Sequence, residues 1–163
     1  MDLQNILKSL EHCPCGKEHT FVTKVVEISS GATRRAGEVL KNAAFPEKIL
    51  LVADRNTIGV ANAEGLEDSL VASGFVIKKL VYDNMKYARV EQVREVMAVA
   101  ADVDGIISVG TGSLNDICRV SSFELKKMFC IFATAPSMDG FASDTAPIIE
   151  NNFKTSWQAE QPA

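Results

Sequence analysis

Gly110, Thr111 and Gly112 stand between an apolar run (Ile106, Ile107, Val109) and a segment of helical pattern that starts at Ser113. Glycine lets a chain turn sharply and lets a phosphate reach the backbone without a Cβ in the way. Ser113 is placed as an N-cap, which would turn the free N–H groups of the next helix, from Leu114 onward, toward that phosphate. Strand, glycine turn and helix in this order are the parts of a phosphate-binding βαβ unit. A tight turn without ligand gives the same pattern. The ordinary dinucleotide fingerprint is incomplete, because a third glycine at the expected spacing is missing and the turn follows a late strand.

Two further groups of residues follow apolar runs. Asp54 and Asn56 come just after Lys48–Ala53 (KILLVA), where either could accept from a ribose hydroxyl or serve a turn or helix cap. Thr134-Ala135-Pro136-Ser137 leaves the run Phe129–Ala133, offering two hydroxyls on a loop stiffened by Pro136, with Asp139 in the turn behind it. An acid at Asp139 could bind a substrate hydroxyl or merely shape the turn. Near the start, Cys13, Cys15 and His19 form C-x-C-x3-H. Three soft donors could hold zinc, though a fourth is missing and an exposed loop with thiols is the plainer reading.

The elements that must position these residues alternate. Leu3, Ile6, Leu7 and Leu10 predict a short opening helix, and Thr20–Ile28 predicts a strand from its Val, Thr and Phe content. A helix follows with Ala36, Val39 and Leu40 on its buried face. The strand Lys48–Ala53 is a continuous apolar run, as suits a parallel strand covered on both faces. Then come a helix around Glu64–Ala72, a strand at Phe75–Val81, and a helix marked by Val90, Val93, Met97 and Ala100. This order predicts an α/β fold, a doubly wound, mostly parallel Rossmann-like sheet. Ala146–Ile149 and Phe153–Trp157 around Asn151-Asn152 predict a C-terminal β-hairpin, and the tail QAEQPA offers no core of its own. Residues 1–19 read as a helix and Cys/His loop, and 20–163 as one nucleotide-binding domain.

The chain has 163 residues, 47% of them hydrophobic and 23% charged, with a net charge of −4. That composition is ordinary for a globular domain, and the absence of a basic stripe argues against nucleic-acid binding. No apolar run reaches membrane-spanning length and the first residues lack a signal-peptide pattern, so the cytoplasm is the expected location. Four scattered cysteines do not make a secreted disulfide framework, and Cys118 and Cys130 read as small core hydrophobes.

VGTGSLNDICR, TAPSMDGFAS, LVADRNT, and later APII and FKTSW together resemble the sn-glycerol-1-phosphate dehydrogenase group of the iron-type alcohol and polyol dehydrogenases, from about Phe21 to the end. The resemblance implies NAD or NADP as cofactor and a phosphorylated polyol, dihydroxyacetone phosphate or sn-glycerol 1-phosphate, as substrate. It places Asp54 and Asn56 near the nucleotide and Gly110, Thr111, Gly112, Ser113 and Leu114 around the pyrophosphate. Thr134, Ala135, Pro136, Ser137 and Ser143 would also line the cofactor, and Asp139 would contact substrate. It further implies a divalent metal (zinc, nickel or iron), held by an Asp and two His in a helical second domain that lies beyond this sequence. This chain is therefore expected to hold only the cofactor side, to be inactive alone, and to form a homo-oligomer or associate with that helical half. The alternatives are a non-catalytic nucleotide-binding or interaction module, or part of a polyol dehydrogenase for an unphosphorylated substrate.

Overall fold

The computed structural model describes residues 3–10, 12–17, 22–136 and 140–163. Among them, four parallel strands form the central sheet: β1 (Lys48–Asp54), β2 (Val76–Tyr82), β3 (Gly105–Val109) and β4 (Met128–Phe132), in the order β2-β1-β3-β4. The helices are α1 (Leu3–Leu10), α2 (Ala36–Asn42), α3 (Arg55–Ala63), α4 (Leu66–Ala72), α5 (Val90–Val99) and α6 (Ser113–Leu125). An antiparallel hairpin, β5 (Thr145–Glu150) with β6 (Phe153–Gln158), turns at Asn151 and Asn152, both at positive φ.

Alternation along the strands divides the core in two. Leu50, Val52 and Ile106 point to one face, where Val93 and Val96 of α5, Ile117 and Val120 of α6, and Ile148 of the hairpin cover them. Ile49, Leu51, Ala53, Ile107 and Val109 point to the other, under Leu40, Ala61, Leu66 and Leu70 of α2–α4. Both central strands are buried on both faces, which is why KILLVA and GIISV read as unbroken apolar runs. On the second face α2 and α4 touch almost backbone to backbone. A Cβ on Gly37 would lie 2.3 Å from the Ser69 carbonyl oxygen, and the Gly37 N–H donates to Ser69 Oγ at 3.0 Å.

The chain leaves β1 toward β2 on one side, and leaves β3 toward β4 on the other. The direction of winding thus reverses between β1 and β3, and open α/β sheets bind ligands outside the carboxyl ends of their strands at such a point.

Three expectations need correction. Residues 22–28 are not a strand. They run irregularly beside the tail, with Val22 N–H donating to Gln161 Oε1 and Thr23 Oγ1 to the Pro162 carbonyl. The tail in turn has a packed place, since Ala159 is buried and the Ala163 N–H donates to Phe129 O on the outer edge of β4. Between β1 and the helix expected near Glu64 lies an additional helix, α3, and α4 starts only at Leu66, after Gly65 in a left-handed conformation.

Candidate functional site

Register fixes what meets at the carboxyl edge. Ala53 of β1 pairs with Val109 of β3, which pairs with Phe132 of β4. The residues that follow, Asp54, Gly110 and Ala133, therefore leave the sheet side by side, with Thr134 one step on. The Gly110 N–H donates to the Phe132 carbonyl at 3.0 Å and holds the third strand exit against the fourth.

Gly112 makes the turn. It sits at φ 52°, ψ −119°, a conformation closed to L side chains. Ser113 was expected to cap α6, but Gly112 occupies the N-cap position and no side chain caps the helix. The Ser113 hydroxyl instead donates to the Lys86 carbonyl at 3.3 Å, on the segment between β2 and α5. Leu114 N–H reaches back to Thr111 O at 3.3 Å and Asp116 N–H to Gly112 O at 3.0 Å. A helix start without a side-chain cap, reached through glycine, suits an anion. Beneath it, buried Ser108 of β3 donates to buried Asn115 Oδ1 at 2.5 Å, tying strand to helix across the turn. Leu114 is a buried core residue; a Cβ on Gly110 would fall 2.4 Å from its Cδ1.

Asp54 proves to be the N-cap of α3. Its Oδ1 accepts from the N–H groups of Asn56 and Thr57, both at 2.9 Å, while Thr57 Oγ1 accepts from Asp54 N–H at 3.0 Å. This is a reciprocal capping box. Beside it Arg55 Nε meets Asp83 Oδ1 at 2.8 Å, an exposed pair joining the ends of β1 and β2.

Arg119 is the residue that sequence reasoning missed. It is fully buried in α6, and its guanidinium donates to the carbonyls of Gly140, Phe141 (3.3 Å) and Ser143. Its Nε is enclosed with no hydrogen-bond partner among the described residues. Burial pulls the guanidinium below its usual pKa, opposed by Asp116 and Asp144. The available signal was a cation inside the otherwise apolar stretch Ile117-Cys118-Arg119-Val120. The Ser143 hydroxyl bonds with the Thr145 backbone, donating to its carbonyl at 2.8 Å and accepting from its N–H at 3.1 Å. Thr134 and Ala135 are half-buried and Pro136 is exposed in the loop after β4. Ser137 and Asp139 lie outside the described residues, as does His19.

Asp116, in the first turn of α6, has its pKa pushed up to about 6 by burial, against the lowering influence of Arg119 and Lys154. The folded chain therefore holds this proton more tightly than the unfolded one. Its ionisation does nothing below the ordinary value of 3.8, opposes folding progressively as pH rises toward 6, and opposes it in full above. Asp116→Asn is expected to gain roughly 1 kcal/mol at pH 7 after allowance for partial exposure, and nothing at pH 3.5. Urea unfolding midpoints at the two pH values check this.

Among the described residues no group of three or more His, Cys, Asp or Glu is placed to hold a metal ion. A cavity of about 520 Å³ opens at the far end of the sheet, between Lys126–Phe129, Val22, Lys24 and the tail. It is remote from the glycine turn and shares none of its residues. Among the described residues no helix is long and apolar enough to cross a membrane.

A four-stranded parallel sheet with helices on both faces and a glycine turn at its switch point defines the class, a doubly wound α/β domain. The chain belongs to the iron-containing alcohol dehydrogenase family, whose model matches residues 27–163. It is 29% identical over 98% of its length to a glycerol-1-phosphate dehydrogenase [NAD(P)+] of Geobacillus thermodenitrificans, covering 40% of that protein. To the enzyme of the same name from Bacillus subtilis it is 32% identical over 90% of its length, covering 38%. The chain thus spans about two fifths of these relatives. Solved structures share the fold, among them the following two. Schizosaccharomyces pombe glycerol dehydrogenase has a TM-score of 0.68 at 22% identity, covering 81% of this chain and 33% of that one. NADH-dependent butanol dehydrogenase A of Thermotoga maritima has a TM-score of 0.72 at 17% identity, covering 88% and 44%.

Proposed function

We propose that this chain is the cofactor-binding part of an NAD(P)-dependent sn-glycerol-1-phosphate dehydrogenase. The observation that carries the reading is the uncapped start of α6, presented through Gly112 at the switch point between β1 and β3. The Gly110–Leu114 turn would take the pyrophosphate on the backbone N–H groups between its ends, those of Gly110 and Leu114 being engaged with the Phe132 and Thr111 carbonyls. Asp54 and Asn56, at the next strand exit, would serve the ribose, with Asp54 Oδ2 remaining beside the capped Oδ1. The loop of Thr134, Ala135, Pro136 and Ser137, with Ser143, would form the facing wall, and Asp139 would meet the substrate. When bound, the cofactor supplies hydride exchange with the carbon bearing the substrate oxygen. The cytoplasm is the proposed location.

The described residues do not fit a metal centre of their own. A metal that polarised the substrate oxygen would take its ligands from elsewhere than the described residues, and turnover is not expected from the described residues alone. Titrating the chain with NADH and with NADPH, followed by cofactor fluorescence, tests the reading. Saturable binding of either supports it, and no binding of either up to millimolar concentration rejects it.

Cofactor choice turns on Asp54. Asparagine caps helices about as well as aspartate, so Asp54→Asn is expected to keep the unfolding free energy within about 0.5 kcal/mol of the parent. Removal of the charge should raise the affinity for NADPH relative to NADH by about tenfold, since a 2′-phosphate next to a carboxylate is repelled. Competition titrations with the two cofactors check it.

A further inference from the structure

The four cysteines fall into two chemical classes. Cys118 is buried on α6 and Cys130 packs within β4; burial raises both thiol pKa values, that of Cys130 to about 12. Neither will form thiolate readily, and Cys118 is closed to a reagent. Cys13 is partly exposed and Cys15 exposed. They occupy a reverse turn at the end of α1, closed by Gly16 N–H on Cys13 O at 3.3 Å and anchored by Cys13 N–H on Leu10 O at 3.1 Å. Pro14 holds the second position of that turn, where its fixed φ is already suited. The consequence is that Cys13 Sγ and Cys15 Sγ lie 3.3 Å apart, with Lys17 N–H directed at Cys15 Sγ at 3.5 Å.

We propose that Cys13 and Cys15 are a redox-active dithiol that exchanges with low-molecular-weight disulfides. One thiolate of the pair attacks a sulfur of the oxidised partner, glutathione disulfide for example, forming a mixed disulfide and releasing one thiolate. The second thiol of the pair, after losing its proton to solvent, attacks the protein sulfur of that mixed disulfide and expels the other small thiolate. The protein loses two electrons and two protons; the small disulfide gains them and leaves as two thiols. The turn speeds the second step, because the resolving sulfur is already in contact with the sulfur it must attack. The zinc reading of this segment takes His19 as its third donor, and that residue lies outside the described residues.

The reduced chain is incubated with glutathione disulfide, quenched by alkylation and digested with trypsin, which places both thiols in the peptide Ser9–Lys17. The expected product is that peptide lighter by two hydrogen atoms, restored by excess dithiothreitol, with Cys118 alkylated only after unfolding and Cys130 free of glutathione. Cys13→Ser should instead trap glutathione on Cys15, at about ten times or more the level of mixed disulfide seen in the parent. Persistence of glutathione on Cys13 or Cys15 in the parent overturns the proposal, as does failure of the pair to react where Cys118 or Cys130 does, or failure of all four.

Discussion

Replacing Arg119 by methionine is expected to lower the stability of the chain by about 2–4 kcal/mol, the largest loss foreseen for any single side chain here. Methionine fills most of the volume, so the loss reports hydrogen bonding more than a cavity. The guanidinium donates to three carbonyls, of Gly140, Phe141 and Ser143, from one buried position on α6. Among the described residues no other side chain of α6 hydrogen-bonds to that loop. Arg119→Lys should recover less than half of the loss, because an ammonium cannot span acceptors that a planar fork reaches together. Urea unfolding measures both variants. A loss below about 0.5 kcal/mol for the methionine variant would show that the loop is held by other means.

The Gly112→Ala variant is expected to lose cofactor affinity by about 10- to 100-fold while remaining folded. An alanine at φ 52°, ψ −119° costs about 1–3 kcal/mol of backbone strain. If the turn keeps its shape, that strain destabilises the chain; if it relaxes, the N–H groups at the start of α6 are re-aimed. Relaxation costs binding about the same free energy, which sets the fold-change. Gly59→Ala is the control: Gly59 lies within α3 with nothing within 4 Å of an added Cβ. Its cofactor affinity should match the parent within twofold. Cofactor titration of both variants decides the matter, and equal affinities would remove Gly112 from the site.

The elements near the proposed cofactor turn were legible because their determinants are local. GIISV and KILLVA are apolar throughout since both faces of a central parallel strand are covered, and the glycines at 110 and 112 mark the turn between strand and helix. Helix α3 was not legible from propensity. RNTIGVANA mixes Asn, Thr, Ile, Val and Gly, none a strong helix former, and the helix depends on the Asp54–Thr57 capping box and on burial of Ala61 against the sheet. The Asp54 side chain was read for a ligand or a cap, and the geometry makes it a cap whatever else it does. The segment 22–28 failed in the opposite sense. Val and Thr favour extended chain, yet a strand needs a neighbour to pair with, and among the described residues this segment meets the tail through single bonds and Arg35 through Glu27, with no ladder. The role of Arg119 depends on a loop more than twenty residues later in the chain, which no helical period can report.

The central claim is that a nicotinamide dinucleotide binds at the carboxyl edge between β1 and β3. The most direct measurement is a series of two-dimensional amide NMR spectra of the nitrogen-15-labelled chain during addition of NADH. The expected result is saturable, concentration-dependent shifts of the Thr111, Gly112, Ser113 and Leu114 amides, together with Asp54 and Asn56, while Lys126 and Lys127 at the opposite end stay fixed. Shifts confined to the cavity around Lys126–Phe129, or no saturable shift at the glycine turn, would contradict it.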